Sequence, residues 1–246
     1  MHNQTTSKTR KIYFARLFVR CIIFIAAMAL YICNRQEFDI ITGGGFVERF
    51  SPLHILWGIW VWDMLLQLMP VKAHISIGSQ KVFSSMFRPI REKVNRRNLK
   101  KYIADTTSAA YKVMVIWLLL NGAIGALYIK EVIDAGAVFL ISVFFYVCDL
   151  ICVLVWCPFR LIMKNKCCTT CRIFNWDHLM MFTPFVFVRG IYTDTLFLLA
   201  FIIWLVWEIC VFTYPERFWE NSNMALRCSE CTDKLCTQYC RKLRNR

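Results

Sequence analysis

Five stretches of this chain, residues 12–33, 53–69, 112–129, 137–160 and 195–212, are long and apolar enough to span a bilayer. Each offers roughly 17 or more mostly apolar residues, and a helix rising about 1.5 Å per residue crosses a hydrocarbon core of about 30 Å over such a length. Lipid offers no partner for backbone N–H and C=O groups, so chains that span it do so as helices or closed barrels. Unbroken apolar runs, rather than alternating ones, select helices. The expected fold is an all-α polytopic transmembrane bundle over residues 12–213, preceded by a basic tail at 1–11. A cysteine-rich tail follows at 214–246 and would carry a small cytosolic metal-binding element.

The number of crossings turns on residues 173–192. Only 179–188 are continuously apolar, and Asp177, His178, Pro184 and Arg189 interrupt the rest. Ten apolar residues alone would suit a re-entrant segment. Charge favours a full crossing at 174–192. The chain holds 30 Lys and Arg against 16 Asp and Glu, a net charge of +14, and the positives are grouped. The N-terminus, the 71–111 loop and the segment after Phe212 are all rich in Lys and Arg, whereas Lys130 is the one basic residue between the third and fourth stretches. Positive loops stay in the cytosol. Six spans put both termini in the cytosol of a multi-pass cell-membrane protein; five spans are the alternative. The basic flank before residue 12 resembles the start of a signal peptide, but Arg16 and Arg20 interrupt the apolar run and no small-x-small cleavage site precedes Asn34, so a retained first helix is expected.

Within the 71–111 loop, Val82, Phe83, Met86, Phe87, Ile90 and Val94 recur at helical spacing among basic residues. Two readings follow for 81–101: an amphipathic helix on anionic lipid headgroups, or a solvated basic loop that enforces topology. A membrane-protein partner is a further possibility for this surface. No basic patch is interleaved with a base-stacking aromatic array, so no nucleic-acid partner is expected. Gly43, Gly44 and Gly45 lack the strand–helix context of a phosphate loop and suit a flexible turn.

Thirteen cysteines are present. Those inside apolar runs, such as Cys21, Cys33 and Cys210, act as small apolar residues. The others cluster in polar segments: Cys168 and Cys171 form one CxxC, and Cys228, Cys231, Cys236 and Cys240 follow C-x2-C-x4-C-x3-C spacing. In a reducing cytosol such clusters point to metal rather than disulfide. Either the tail alone surrounds one tetrahedral ion, or Cys168/Cys171 and Cys228/Cys231 form a two-plus-two clasp, with Cys236 as a spare ligand. The clasp would close a loop of about 55 residues around the last helical hairpin. Zinc is the leading cofactor, an iron–sulfur cluster the alternative, and dithiol chemistry a third option helped by the nearby Lys166, Arg172 and Arg227.

Three acids, Asp63, Asp149 and Glu208, fall in the inner halves of apolar spans, where Arg16 and Arg20 of the first helix could pair with them. Intramembrane carboxylates need a partner or a water-filled cavity. They would line a cytosol-facing pocket for a cation, a headgroup or a proton, or serve as interhelical glue. His178, beside Asp177, stands near both sites as a ligand, a proton carrier or an interfacial residue. His54 and Asp63 are on opposite helix faces and form no dyad. Gly122 and Ala126 have the spacing of a close helix contact.

HExxH, G-x-S-x-G, Walker and C-x-x-C-H motifs are absent from the sequence. Three functions follow from these residues: a structural or accessory membrane protein with a cytosolic thiolate–metal site, a membrane redox protein exchanging electrons with a carrier such as a quinone, and a lipid- or ion-handling protein built on the intramembrane acids. No catalytic residue is identified.

Overall fold

A computed structural model describes residues 8–43, 45–69, 81–90, 94–165, 167–231 and 235. The described residues are helical and form no strand; one isolated bridge joins Pro89 to Asn223. We number the helices α1 (Lys8–Cys33), α2 (Pro52–Leu68), α3 (Arg96–Ile129), α4 (Ala135–Leu154), α5 (Arg160–Met163), α6 (Asp177–Phe182) and α7 (Ile191–Thr213). Four of them, α1, α3, α4 and α7, are long and apolar enough to cross a membrane. Their outward faces carry large apolar side chains: Phe18 is 67% exposed and Leu119 71%. A water-soluble surface rarely shows such a belt, and lipid accepts it.

Helix ends follow local chemistry. Ser51 caps α2 by accepting from the Leu53 N–H at 3.4 Å, and its own N–H donates to His54 Nδ1 at 3.0 Å. The opposite ring nitrogen, Nε2, lies 2.9 Å from the Phe46 carbonyl. His54 is thereby committed to a cap and a loop anchor. Helix α3 starts 16 residues before the expected span at 112, because Asn95 caps Arg97 and Asn98 and neither Gly nor Pro intervenes before Gly122. Conversely, α4 stops at Leu154 rather than 160. Pro158 has no N–H, its ring would meet the residue 154 carbonyl, and it disfavours helix at Cys157.

Helices α1 and α4 are antiparallel: Arg20 bonds Asp149 at 2.8 Å, and 11 residues further along α1 Tyr31 bonds Asp134 at 2.8 Å. Helices α2 and α7 begin side by side, with Tyr192 Oη donating to the Leu53 carbonyl at 3.0 Å and Trp57 Nε1 to Thr195 Oγ1 at 3.0 Å. Between them runs 174–190, two 3-10 turns flanking α6. It opens beside the end of α2 (Asp177 to Gln67), passes Trp60 through Phe182, and reaches the Ile41–Gly43 turn at Gly190. Trp176, Phe182, Phe185 and Val188 along it are fully buried or nearly so. Pro184 and extended backbone at Val188 prevent one continuous helix. Irregular backbone suits a membrane interior only when protein surrounds it. Trp117 Nε1 accordingly donates to the Met180 carbonyl at 3.1 Å.

At three glycines, Gly125, Gly136 and Gly190, an added Cβ would meet another atom closer than 3.0 Å. A Cβ on Gly190 would lie 2.1 Å from the Ile41 carbonyl oxygen, and one on Gly125 would lie 2.5 Å from the Phe187 ring. Gly122, expected at a helix contact, has open space beside it; the close-packed position is Gly125, one turn on.

The 81–90 stretch forms no continuous amphipathic helix, as one reading expected; its single 3-10 turn is Ser84–Met86. Backbone pairing pulls it onto the segment after α7: the Met224 N–H donates to the Arg88 carbonyl at 2.9 Å, and Asn223 Nδ2 to the Lys81 carbonyl at 3.2 Å. Val82 is buried, and Phe83 lies 5.3 Å from Trp207, ring to ring. The apolar side chains at 82 and 83 thus face the bundle. Leu235 packs with Tyr13, Leu150 and Leu154, bringing one residue of the C-terminal segment against the junction of α1 and α4.

Candidate functional site

The end of α2, the start of α1, the last turns of α4 and the start of α6 line a half-open cavity of about 390 Å³. Its polar lining is Arg16, Arg20, Asp63, Gln67, Tyr146, Asp149, Asp177 and His178; Tyr13, Val19, Leu150 and Phe174 are among its apolar walls. Helix periodicity places each group. Residues 16 and 20, 63 and 67, and 146 and 149 are three or four apart and share faces. Asp177 and His178 arrive because the chain breaks from 3-10 into α-helix there.

Within the cavity some groups are pinned. Arg20 Nη1 donates to Asp149 Oδ2 at 2.8 Å and to the Tyr146 carbonyl at 2.6 Å, while its guanidinium lies 3.8 Å above the Tyr146 ring. Such bonded, stacked guanidinium groups are held in one geometry. Gln67 Nε2 donates to both Asp177 oxygens at 2.7 and 2.9 Å, and His178 Nδ1 lies 3.3 Å from the same carboxylate.

Other groups are not. Asp63 makes no hydrogen bond or ion pair among the described residues, although it faces Arg20, Tyr146 and His178 electrostatically. Gln67 is 2% exposed and its Oε1 has no hydrogen-bond partner among the described residues. A buried amide oxygen without a partner costs about 1–3 kcal/mol. Two guanidinium groups meet three carboxylates in the cavity, so its fixed charge is −1 when His178 is neutral and zero when it is protonated.

Of the expected intramembrane residues, Asp63, Asp149, Arg16, Arg20 and His178 come together. Glu208 does not. It is outside the cavity lining and accepts from Arg172 Nη2 at 2.6 Å and Trp176 Nε1 at 2.8 Å. Both charged side chains there are about 5% exposed (Arg172 5%, Glu208 6%). Asp177 and Gln67 complete the cavity instead; Gln67 lies one helical turn from Asp63, and Asp177 directly precedes His178.

The two CxxC segments adopt the same 3-10 turn, with the Cys171 N–H donating to the Cys168 carbonyl at 2.9 Å and Cys231 to Cys228 at 3.3 Å. Among the described residues no group of three or more His, Cys, Asp or Glu side chains is arranged to hold a metal ion. Cys236 and Cys240, the remaining candidate ligands, lie outside the described residues. Cys168 turns instead to α4, its Sγ donating to the Cys152 carbonyl at 3.4 Å.

An all-helical protein with several membrane-compatible helices and a charged internal cavity is the class that this geometry defines. Comparison with protein-family models, with characterised proteins and with solved structures gives no match.

Proposed function

We propose that this chain is a cation-handling membrane protein whose cavity takes up one small monovalent cation in exchange with a proton. The observation that carries this reading is Asp63, a carboxylate with no hydrogen bond or ion pair among the described residues, one helical turn from the unpartnered Gln67 oxygen in a cavity that carries one surplus negative charge while His178 is neutral. Hard oxygen ligands of this kind suit hard cations, and a single surplus negative charge matches a monovalent one. Protonating His178 would cancel the surplus charge, so proton and cation would compete.

Six crossings support the same reading. Segment 177–190 contains six α-helical and five 3-10 residues and then three non-helical ones, of which Val188 and Gly190 have extended backbone. Laid end to end at about 1.5, 2.0 and 3.3 Å per residue they reach at most roughly 29 Å, close to the ~30 Å core. A stretch too short as a helix is therefore long enough as a mixed one. Positive-inside charge then puts both termini, and the cavity end of the bundle, in the cytosol.

The test is flux. Proteoliposomes holding a pH-sensitive dye should acidify or alkalinise when a sodium or potassium gradient is imposed. Asp63→Asn should abolish the response, and Asp194→Asn, at an exposed site elsewhere, should retain it. Equal responses from wild type, Asp63→Asn and empty liposomes would sink the proposal.

A further inference from the structure

The cavity already holds a cation that belongs to the chain. Arg20 enters it from α1 and sits among the acids. Its Nη1 donates to Asp149 Oδ2 at 2.8 Å and to the Tyr146 carbonyl at 2.6 Å, and its guanidinium lies 3.8 Å above the Tyr146 ring. Asp63 faces it electrostatically from α2. These contacts on one planar group fix where the charge sits. The Arg20 side chain is 15% exposed, so bulk water screens it only in part, and an ion entering the cavity is repelled by it.

With Arg20 in place, it and Arg16 face Asp63, Asp149 and Asp177, which leaves one surplus negative charge while His178 is neutral. Without Arg20, Arg16 alone faces the same three carboxylates, and the surplus is two. The Asp149 carboxylate, which now accepts from Arg20, would then be open to an ion in the same cavity as Asp63. A hard divalent cation favours such a site, with several carboxylate oxygens and a matching charge. One surplus charge, with Asp149 already engaged, suits a monovalent ion. Size alone would not separate sodium from calcium, whose ionic radii are alike. Charge does.

We propose that Arg20 determines the specificity of this cavity, as an internal countercharge that admits a monovalent cation and turns away a divalent one. The inference rests on the cation reading of the cavity and adds which ions are refused. Arg20 need not touch the ion. It acts by engaging Asp149 and by its own charge, so the balance of acids and bases sets the selectivity rather than the guanidinium as such. Deleting Asp149 together with Arg20 leaves Arg16 against Asp63 and Asp177, which returns the surplus to one. A purely structural role for the Arg20–Asp149 pair would not move ion selectivity in this pattern.

The experiment measures equilibrium binding of radiolabelled calcium to the purified full chain at pH 8. Wild type should bind calcium weakly, and Arg20→Gln should bind one calcium per chain at least about tenfold more tightly. Three other variants should return to the wild-type value: Arg20→Lys, which keeps the charge, and the doubles Arg20→Gln/Asp149→Asn and Arg20→Gln/Asp63→Asn, which restore a surplus of one. Calcium affinity unchanged in Arg20→Gln, or raised in any of the other three, would overturn the proposal. If Arg20→Gln aggregates when purified without metal, calcium present throughout should yield monodisperse protein. Aggregation in its presence as well would also overturn it. Sodium binding by wild type is read separately. Tight calcium binding by Arg20→Gln without sodium binding by wild type would uphold the charge filter and remove the monovalent reading. Sodium binding by wild type with calcium affinity unchanged in Arg20→Gln would do the reverse.

Discussion

Removing one member of the buried Arg172–Glu208 pair should destabilise the bundle far more than removing both. The carboxylate is 6% exposed and accepts from Arg172 Nη2 at 2.6 Å and Trp176 Nε1 at 2.8 Å. Arg172→Met leaves a buried anion with the indole donor and no countercharge. Stranding one partner of such a pair costs about 3–5 kcal/mol. Glu208→Gln keeps an oxygen for Trp176 but strands the guanidinium, so a similar loss is expected. The double variant strands neither charge and should fall short of the sum by at least about 2 kcal/mol. That coupling exceeds the average membrane hydrogen bond, about 0.6 kcal/mol, because both partners are charged as well as buried. Reversible unfolding in mixed detergent, followed by tryptophan fluorescence, gives all four corners of the cycle. Single losses below about 1 kcal/mol, or additive effects, would refute the view that this pair is a desolvated structural fastener.

Further outcomes follow from the same geometry. Gly190→Ala should destabilise by about 1–3 kcal/mol in the same unfolding assay, because the new methyl meets the Ile41 carbonyl oxygen. Gly122→Ala should instead be neutral or stabilising by up to about 1 kcal/mol, since nothing packs beside it, while Gly125→Ala should lose stability against the Phe187 ring. Ser51→Ala removes the α2 cap and should cost about 1 kcal/mol. An impermeant maleimide applied to intact cells should label Cys33 and spare Cys231; the reverse pattern would invert the proposed topology.

The apolar runs made the helical class legible, and their lengths located α1, α2, α4 and α7 to within a few residues at most ends. What escaped was set by particular residues. The inward extension of α3 depends on the Asn95 cap and on polar residues with adequate helix propensity, which hydropathy does not see. Segment 174–190 is not one helix because Pro184 and the extended backbone at Val188 break it, which a count of apolar residues does not see. Of the acids, Asp63 and Asp149 converged because both project from inner turns facing α1. Glu208 is also an acid within an apolar run, but it bonds Arg172 and Trp176 instead, and its place in the run alone does not reveal that. The cysteine pattern drew attention to the CxxC pairs, while the Cys168 thiol turns to the Cys152 carbonyl of α4, 16 residues upstream; Pro158 was the local signal that α4 would end there.

The central claim is that the cavity around Asp63 binds one small monovalent cation. Its most direct test is equilibrium binding of radiolabelled sodium, and of rubidium in place of potassium, to the purified full chain at pH 8 and pH 6. The account expects saturable binding of one ion per chain at pH 8, weakened at pH 6. Asp63→Asn should lose it while still folding to a monodisperse protein, and Asp194→Asn should keep it. Absence of saturable binding at both pH values, or binding unchanged in Asp63→Asn, would contradict it.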